Sequence, residues 1–118
     1  QTTEFDDTWV YDPAAGTWAN ATPSGQAPSG RALAQMVYDS KAERMVMFGG
    51  GTTGNSVTAE TWIYNPTANT WNPVAPAGAK PEARTGHALA FDSGAATVFL
   101  FGGSTGSTFF NDIWTYSR

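Results

Sequence analysis

Thr8-Trp9-Val10-Tyr11-Asp12-Pro13-Ala14-Ala15-Gly16-Thr17-Trp18 and Thr61-Trp62-Ile63-Tyr64-Asn65-Pro66-Thr67-Ala68-Asn69-Thr70-Trp71 carry one pattern at two places, 53 positions apart. In each, Trp and Tyr alternate along a run of β-formers, which puts both rings on one face of a strand. Pro presets the φ of the turn that follows, and Gly16 or Asn69 stands where a left-handed residue closes a type I turn with a bulge. Each stretch therefore predicts two antiparallel strands ending on a second Trp.

Outward from these stretches the period of 53 runs through the chain: Pro28, Arg31, Asp39 and Gly49-Gly50 recur as Pro81, Arg84, Asp92 and Gly102-Gly103. Trp62 and Tyr64 recur once more, 52 positions on, as Trp114 and Tyr116. Self-similarity at roughly 40 to 50 residues, carried by aromatics and glycines, marks a β-propeller blade or another array whose single unit cannot bury its apolar face alone. The remaining segments read as strand or turn. Leu33 to Tyr38 and Ala88 to Phe91 each end in a polar turn, at Asp39 to Glu43 and Asp92 to Ala96. Met45-Val46-Met47-Phe48 and Val98-Phe99-Leu100-Phe101 follow, each closed by a double glycine, and such continuous apolar runs predict strands covered on both faces. Gly and Pro punctuate the chain too often for a helix.

Composition narrows the function classes. The 118 residues allow one domain, and 14% aromatic with 14% charged residues describes a folding sequence. A net charge of -4, with 6 scattered basic residues, argues against nucleic acid or an anionic membrane as partner. No stretch approaches the roughly 18 apolar residues of a membrane helix. The N-terminus shows no charged segment followed by an apolar run, so a mature secreted domain and an excised fragment would look alike. Asn20-Ala21-Thr22 is a glycosylation sequon. With no Cys there is no disulfide, thiolate metal site or cysteine nucleophile, and no cofactor is predicted.

The set Arg84-Thr85-Gly86-His87-Ala88, Phe99-Leu100-Phe101-Gly102-Gly103 and Asn111-Asp112-Ile113-Trp114-Thr115-Tyr116 resembles the kelch repeat. The first unit matches it with Arg31, Met47-Phe48-Gly49-Gly50, Thr61-Trp62-Ile63-Tyr64-Asn65-Pro66 and the closing Trp71. The resemblance covers about Asp6 to Tyr116. It departs at Ala34, which stands where His87 stands, and at Glu60, which replaces the acid of Asn111-Asp112. The resemblance implies an all-β propeller of four-stranded antiparallel blades, usually six or seven, around a central channel.

Strand order along the chain gives two blades and one spare strand, and two blades cannot close a ring. The expectation is a single region, 1–118, with repeat 1 at about 31–72. Repeat 2, at about 84–116, would be completed by N-terminal strands 8–22 of a neighbouring chain. Three copies would give a six-bladed ring by head-to-tail contacts, and four an eight-bladed one. Alternatively, the chain is an excised part of a larger secreted kelch protein, or of a kelch-containing enzyme with a composite site. Trp9-Val10-Tyr11 and Trp114-Thr115-Tyr116 contend for one position in the joint blade, and the C-terminal copy, already tied to its neighbours, is expected to hold it. Starting mid-blade, as kelch-type chains commonly do to close their ring, makes the boundaries at Asp6 and Tyr116 look chosen.

Catalytic chemistry has few candidates. His87 is the sole histidine and no Gly-x-Ser-x-Gly accompanies it, so no catalytic residue is assigned and a non-catalytic module is expected. The copper centre of some kelch-containing oxidases, built from Tyr, His and Cys, has no counterpart in a chain without Cys. His87 bonding a neighbouring backbone is the plain reading; three copies near a trimer axis, holding zinc or copper, is the remote one. In ligand-binding kelch proteins, arginines in the position of Arg31 and Arg84 face the partner at the channel mouth, where a guanidinium fork suits carboxylates. The plainer alternative is that each Arg ties its loop to a nearby carboxylate or carbonyl. The loops Gly51 to Glu60 and Ser104 to Asp112 lie at that same end. Rich in Thr, Ser, Gly and Asn, and carrying Phe109 and Phe110, they would suit a peptide or carbohydrate, or be ordinary solvated loops. Trp9, Tyr11, Trp18, Trp62, Tyr64, Trp71, Trp114, Tyr116 and glycines 49, 50, 102 and 103 form the repeat frame.

Overall fold

The computed structural model describes residues 4–117, and its regular structure is antiparallel β throughout, apart from one 3-10 turn. β1 (Trp9–Asp12) and β2 (Thr17–Asn20) form a hairpin. β3 (Gln35–Asp39) and β4 (Arg44–Phe48) are followed by a small ribbon, β5 (Gly51–Thr52) and β6 (Ser56–Val57), joined through the 3-10 turn Thr53–Asn55. β7 (Thr61–Asn65) and β8 (Thr70–Val74) complete a four-stranded sheet in the order β3-β4-β7-β8. β9 (Ala88–Asp92), β10 (Thr97–Phe101) and β11 (Ile113–Tyr116) form a three-stranded sheet in the order β11-β10-β9. The C-terminal Trp-x-Tyr strand lies beside the double-glycine strand of its own unit, and the N-terminal copy pairs with β2.

The turns follow from side-chain chemistry. Asp12, Asn65, Asp39 and Asp92 each accept backbone N–H bonds two and three residues on through one Oδ1. That bonding is the reason Asx residues begin turns. Gly16 and Asn69 take the left-handed φ of +69° and +55° that the turn pattern demands. Glu43 and Ala96, at +57° and +52°, do the same in the other pair of turns, where the residue types gave no sign of it.

Alternation along the strands sorts the core into two layers. Met47, Trp62, Tyr64 and Trp71 cluster on one face of the four-stranded sheet. Val46 and Ile63 point to the other face and meet Val98 of the three-stranded sheet, with Leu89, Phe91 and Tyr116 packed around them. A small apolar void of about 70 Å³ along this seam touches Phe48, Leu100 and Trp114. The hairpin lies on the far side of the four-stranded sheet, where the Trp71 Nε1–H donates to Thr8 Oγ1 at 3.1 Å. Hairpin, four-stranded sheet and three-stranded sheet therefore follow one another as a stack.

One expectation needs correction. β4 is covered on both faces, but β10 is covered on one only: Val98 and Leu100 are buried, while Phe99 and Phe101 are 37% and 54% exposed. The cause is position in the stack, because among the described residues no sheet packs on the outer face of the three-stranded sheet. Ile113, on the same open face, is also exposed. At the opposite end the hairpin leaves Trp9, Tyr11 and Trp18 exposed.

Candidate binding surface at the loop end

The loops after the double glycines and the loops that carry the arginines lie at one end of the sheets. Isolated bridges join Ala32 to Gly51 and Thr85 to Ser104, so each unit repeats the same loop-to-loop contact. Positive φ at Gly49 and Gly50 (+76° and +112°) and at Gly102 and Gly103 (+74° and +95°) reverses the chain here. Glycine is required at these turns for a second reason. A Cβ on Gly49 would fall 2.7 Å from the Arg84 carbonyl oxygen and from His87 Cε1, and one on Gly103 would fall 2.8 Å from the Thr85 carbonyl oxygen.

Both arginines turn inward. The Arg84 side chain is fully buried, forks onto Asp112 with Nη1–Oδ1 of 2.7 Å and Nη2–Oδ2 of 3.1 Å, and donates to the Gly102 carbonyl. The Phe110 ring lies over the guanidinium at 4.0 Å. Arg31 repeats the arrangement with Glu60 at 2.9 Å and the Gly49 carbonyl at 3.2 Å, its side chain 5% exposed. These bonds tie each loop to its own sheet, so neither guanidinium faces solvent as a ready carboxylate receptor. The forked bond from Arg84, with a further hydrogen bond from Trp114, holds the Asp112 carboxyl well below the usual carboxylate range. Hydrogen bonds from Trp62 and Arg31 lower Glu60 as well.

An acid two residues before the tryptophan of each Trp-x-Tyr strand accepts that ring's N–H: Asp7 for Trp9, Glu60 for Trp62 and Asp112 for Trp114, at 2.8, 3.0 and 2.8 Å. The triple recurrence of acid-x-Trp is visible in the sequence, at Asp7, Glu60 and Asp112. Glu60 retains the function of Asp112, so the departure from the kelch pattern there is a change of length, not of role.

His87 is buried between the two larger sheets. Its Nε2 lies 2.8 Å from the Phe48 carbonyl oxygen, and since a carbonyl only accepts, Nε2 carries the proton. Nδ1 is then an unprotonated acceptor, and it has no hydrogen-bond partner among the described residues. The Phe48 ring meets the imidazole edge to face at 5.6 Å. Burial lowers the His87 pKa, with the Phe48 bond opposing and Arg84 adding to the shift. Among the described residues no three His, Cys, Asp or Glu side chains gather as a metal-binding set.

Of the binding candidates only Phe109 is exposed, and its neighbour Phe110 is half-buried. Phe109 is 85% exposed, whereas Phe110 caps Arg84. Phe109 lines an open cleft of about 470 Å³ with Leu33, Gly86, Ala88 and Phe101. Leu33, read in the sequence as the start of a strand, lies ahead of β3, which begins at Gln35. It is exposed and holds a φ of +60° where its repeat equivalent, 53 residues on, is Gly86 at +69°.

Comparison with known proteins agrees with this geometry. The KLHDC2/KLHL20/DRC7 Kelch-repeats domain matches residues 1–117. A Rab9 effector protein with kelch motifs from Xenopus laevis is 34% identical over 110 residues, 89% of this chain and 28% of the relative. Tip elongation aberrant protein 1 of Schizosaccharomyces pombe is 30% identical over 84% of this chain and 9% of its own length. Acyl-CoA-binding domain-containing protein 4 of Arabidopsis thaliana is 28% identical over 88% and 15%. The chain thus spans less than a third of each of these relatives. With a family match over nearly its whole length and the repeat frame folded as antiparallel sheets, the chain belongs to the kelch-repeat family.

Proposed function

We propose that this chain is a non-catalytic, protein-binding kelch module that associates head to tail with copies of itself, its three-stranded sheet completed by β2 of the next copy. The carrying observation is a matched pair of incomplete ends. In the four-stranded sheet Trp71 seals the last edge, packing on Tyr64 with ring centroids 4.9 Å apart at 47°. Trp114 and Tyr116 have no such partner, and the residue one repeat before Trp71 is Trp18, which is 65% exposed. In the hairpin Trp18 packs on Tyr11 at 5.1 Å and 51°, a near copy of the Tyr64–Trp71 pair. The ring proposed to seal β11 stands at the other end of the chain, on a strand that would exchange β1 for β11 in the assembly.

The surface area supports the same reading. The accessible surface is 7231 Å², against about 6,200 Å² for a compact monomer of this mass. Apolar side chains gathered at an open face, as Phe99, Phe101 and Ile113 are at one end and Trp9, Tyr11 and Trp18 at the other, mark interfaces. Three copies would make six blades and four would make eight. The loop end, with Phe109 outermost, is the surface offered to a peptide or carbohydrate. The Xenopus relative is named as an effector of Rab9, and binding to a protein is carried to this chain by that analogy. Native mass spectrometry tests the assembly: a particle of three times 12.5 kDa is expected, and a well-behaved monomer at all concentrations refutes it.

The length of the relatives favours a second reading, in which further kelch blades of a longer chain cover the same flanks. The purified chain would then be monomeric and prone to nonspecific aggregation.

A further inference from the structure

The joint between the two larger sheets shows how one kelch unit receives the next. The Gly50 N–H donates to the Arg84 carbonyl at 3.0 Å, and the Gly86 N–H donates to the Leu33 carbonyl at 3.3 Å. His87 then reaches across to the Phe48 carbonyl. The segment Arg84 to Ala88 is thus a plug, seated on the double glycine and the strand end of the preceding unit.

The same seat exists again, unfilled, one repeat on. Shifting its residues by 53 turns Leu33, Phe48, Gly49 and Gly50 into Gly86, Phe101, Gly102 and Gly103. These four, with Ala88 and Phe109, line the open cleft of about 470 Å³ on the exposed side of the three-stranded sheet. Shifting the plug back by 53 gives Arg31 to Gln35. Its fit to the glycine pair of its own unit is already the same: a Cβ on Gly50 would lie 3.0 Å from Ala34 Cβ, as one on Gly103 would lie 3.0 Å from His87 Cβ. The plug keeps the arginine but carries Ala32, Leu33, Ala34 and Gln35 where the other carries Thr85, Gly86, His87 and Ala88, and of these changes Ala34 for His87 removes the group that donates across the joint.

We infer that this cleft is a socket for residues 31–35 of a second copy, and that the joint between copies lacks the histidine bond that fastens the joint within a copy. The inference rests on the proposed self-association and adds its register and its weak point. The assembly comes apart between copies and not between the sheets of one chain. Substituting Ala34→His supplies the missing donor to the Phe101 carbonyl.

The test compares the purified wild-type chain, Ala34→His and Phe101→Glu by sedimentation velocity across a dilution series. Ala34→His should lower the dissociation midpoint about fivefold per joint, the value of one net hydrogen bond. Phe101→Glu, which puts a charge in the socket at a position exposed in the single chain, should abolish assembly while leaving the monomer's urea midpoint unchanged. If the wild type assembles but neither substitution changes its midpoint, the socket is wrong and the self-association reading survives. Should all three remain monomeric at every concentration, both fall.

Discussion

Replacing His87 by Ala should cost about 3 kcal/mol of folding stability near neutral pH, a size set by two losses at one place. The Phe48 carbonyl loses a donor at 2.8 Å inside the seam, and a stranded buried acceptor costs about 1–3 kcal/mol. The imidazole also fills space against the Phe48 ring and between the glycine turns, where its removal leaves a void costing about 1–2 kcal/mol. His87→Gln, which can still donate, should recover part of the hydrogen-bond loss. Urea unfolding at pH 7.5 is the assay, with midpoints compared at fixed slope. A loss below about 0.5 kcal/mol for His87→Ala would place the residue among ordinary surface positions and refute the joint as described.

The same residue predicts a pH dependence. Folding lowers the His87 pKa below its ordinary value of 6.5, chiefly because burial disfavours the imidazolium. The unfolded chain therefore takes up this proton first as pH falls. The stability contributed by neutral His87 is complete above about pH 6.5 and declines below it until the folded protein is protonated too. The nearby charged groups are Arg84, paired with Asp112, and Arg31, which bonds the Gly49 carbonyl and pairs with Glu60. The difference between wild type and His87→Gln should accordingly shrink from pH 7.5 to pH 5. An unchanged difference would contradict the assignment of the unpartnered Nδ1.

Leu33→Gly should raise stability by about 0.5–1 kcal/mol, since a φ of +60° strains a leucine and suits the glycine found one repeat on; calorimetry reads the gain, and a loss would show that the exposed leucine has a packing role. Asp112→Asn should cost about 2–3 kcal/mol, less than a fully buried pair would, because the Asp112 side chain is 38% exposed to screening water. Glu60→Gln, at the more exposed pair, should cost about 1 kcal/mol, and equal losses would deny the difference in burial. Both carboxyls are lowered in the folded chain, so their stabilisation is present above the ordinary carboxylate range and is lost as pH falls through it. Phe109→Ser should change stability by less than about 0.5 kcal/mol, whereas Phe110→Ser, which uncovers Arg84, should cost about 1–2 kcal/mol.

Much of the frame was legible because it is local. Asp-Pro and Asn-Pro turns, alternating Trp and Tyr, and double glycines each constrain φ or burial within a few residues, and their recurrence at 53 removes accident. The candidate site was less legible because its partners are distant. Arg84 and Asp112 are 28 residues apart, and His87 and Phe48 are 39 apart. An arginine that faces a ligand and one that bonds inward look alike in a string of letters. Even so, the arginine and the acid-x-Trp recur together in both units, and that joint recurrence was the available sign of an internal pair.

The run Val98-Phe99-Leu100-Phe101 shows where sequence reasoning meets its physical limit. Its composition matches Met45-Val46-Met47-Phe48, yet Phe99 and Phe101 lie open while Val46 and Phe48 are buried. Both runs are apolar throughout, follow an Asp-Ser turn and end on a double glycine. The difference is whether another unit stands next in the stack, a property of the array and not of the segment. On the proposed self-association, the apolar residues of the last face await a neighbouring copy, and Ala34 at the leading edge would hold that copy less tightly than the sheets of one chain hold each other. A ring built in this way would have strong internal joints alternating with weak ones. Dilution or mild acid should then act differently: dilution parts copies at Ala34, and acid loosens the seam at His87.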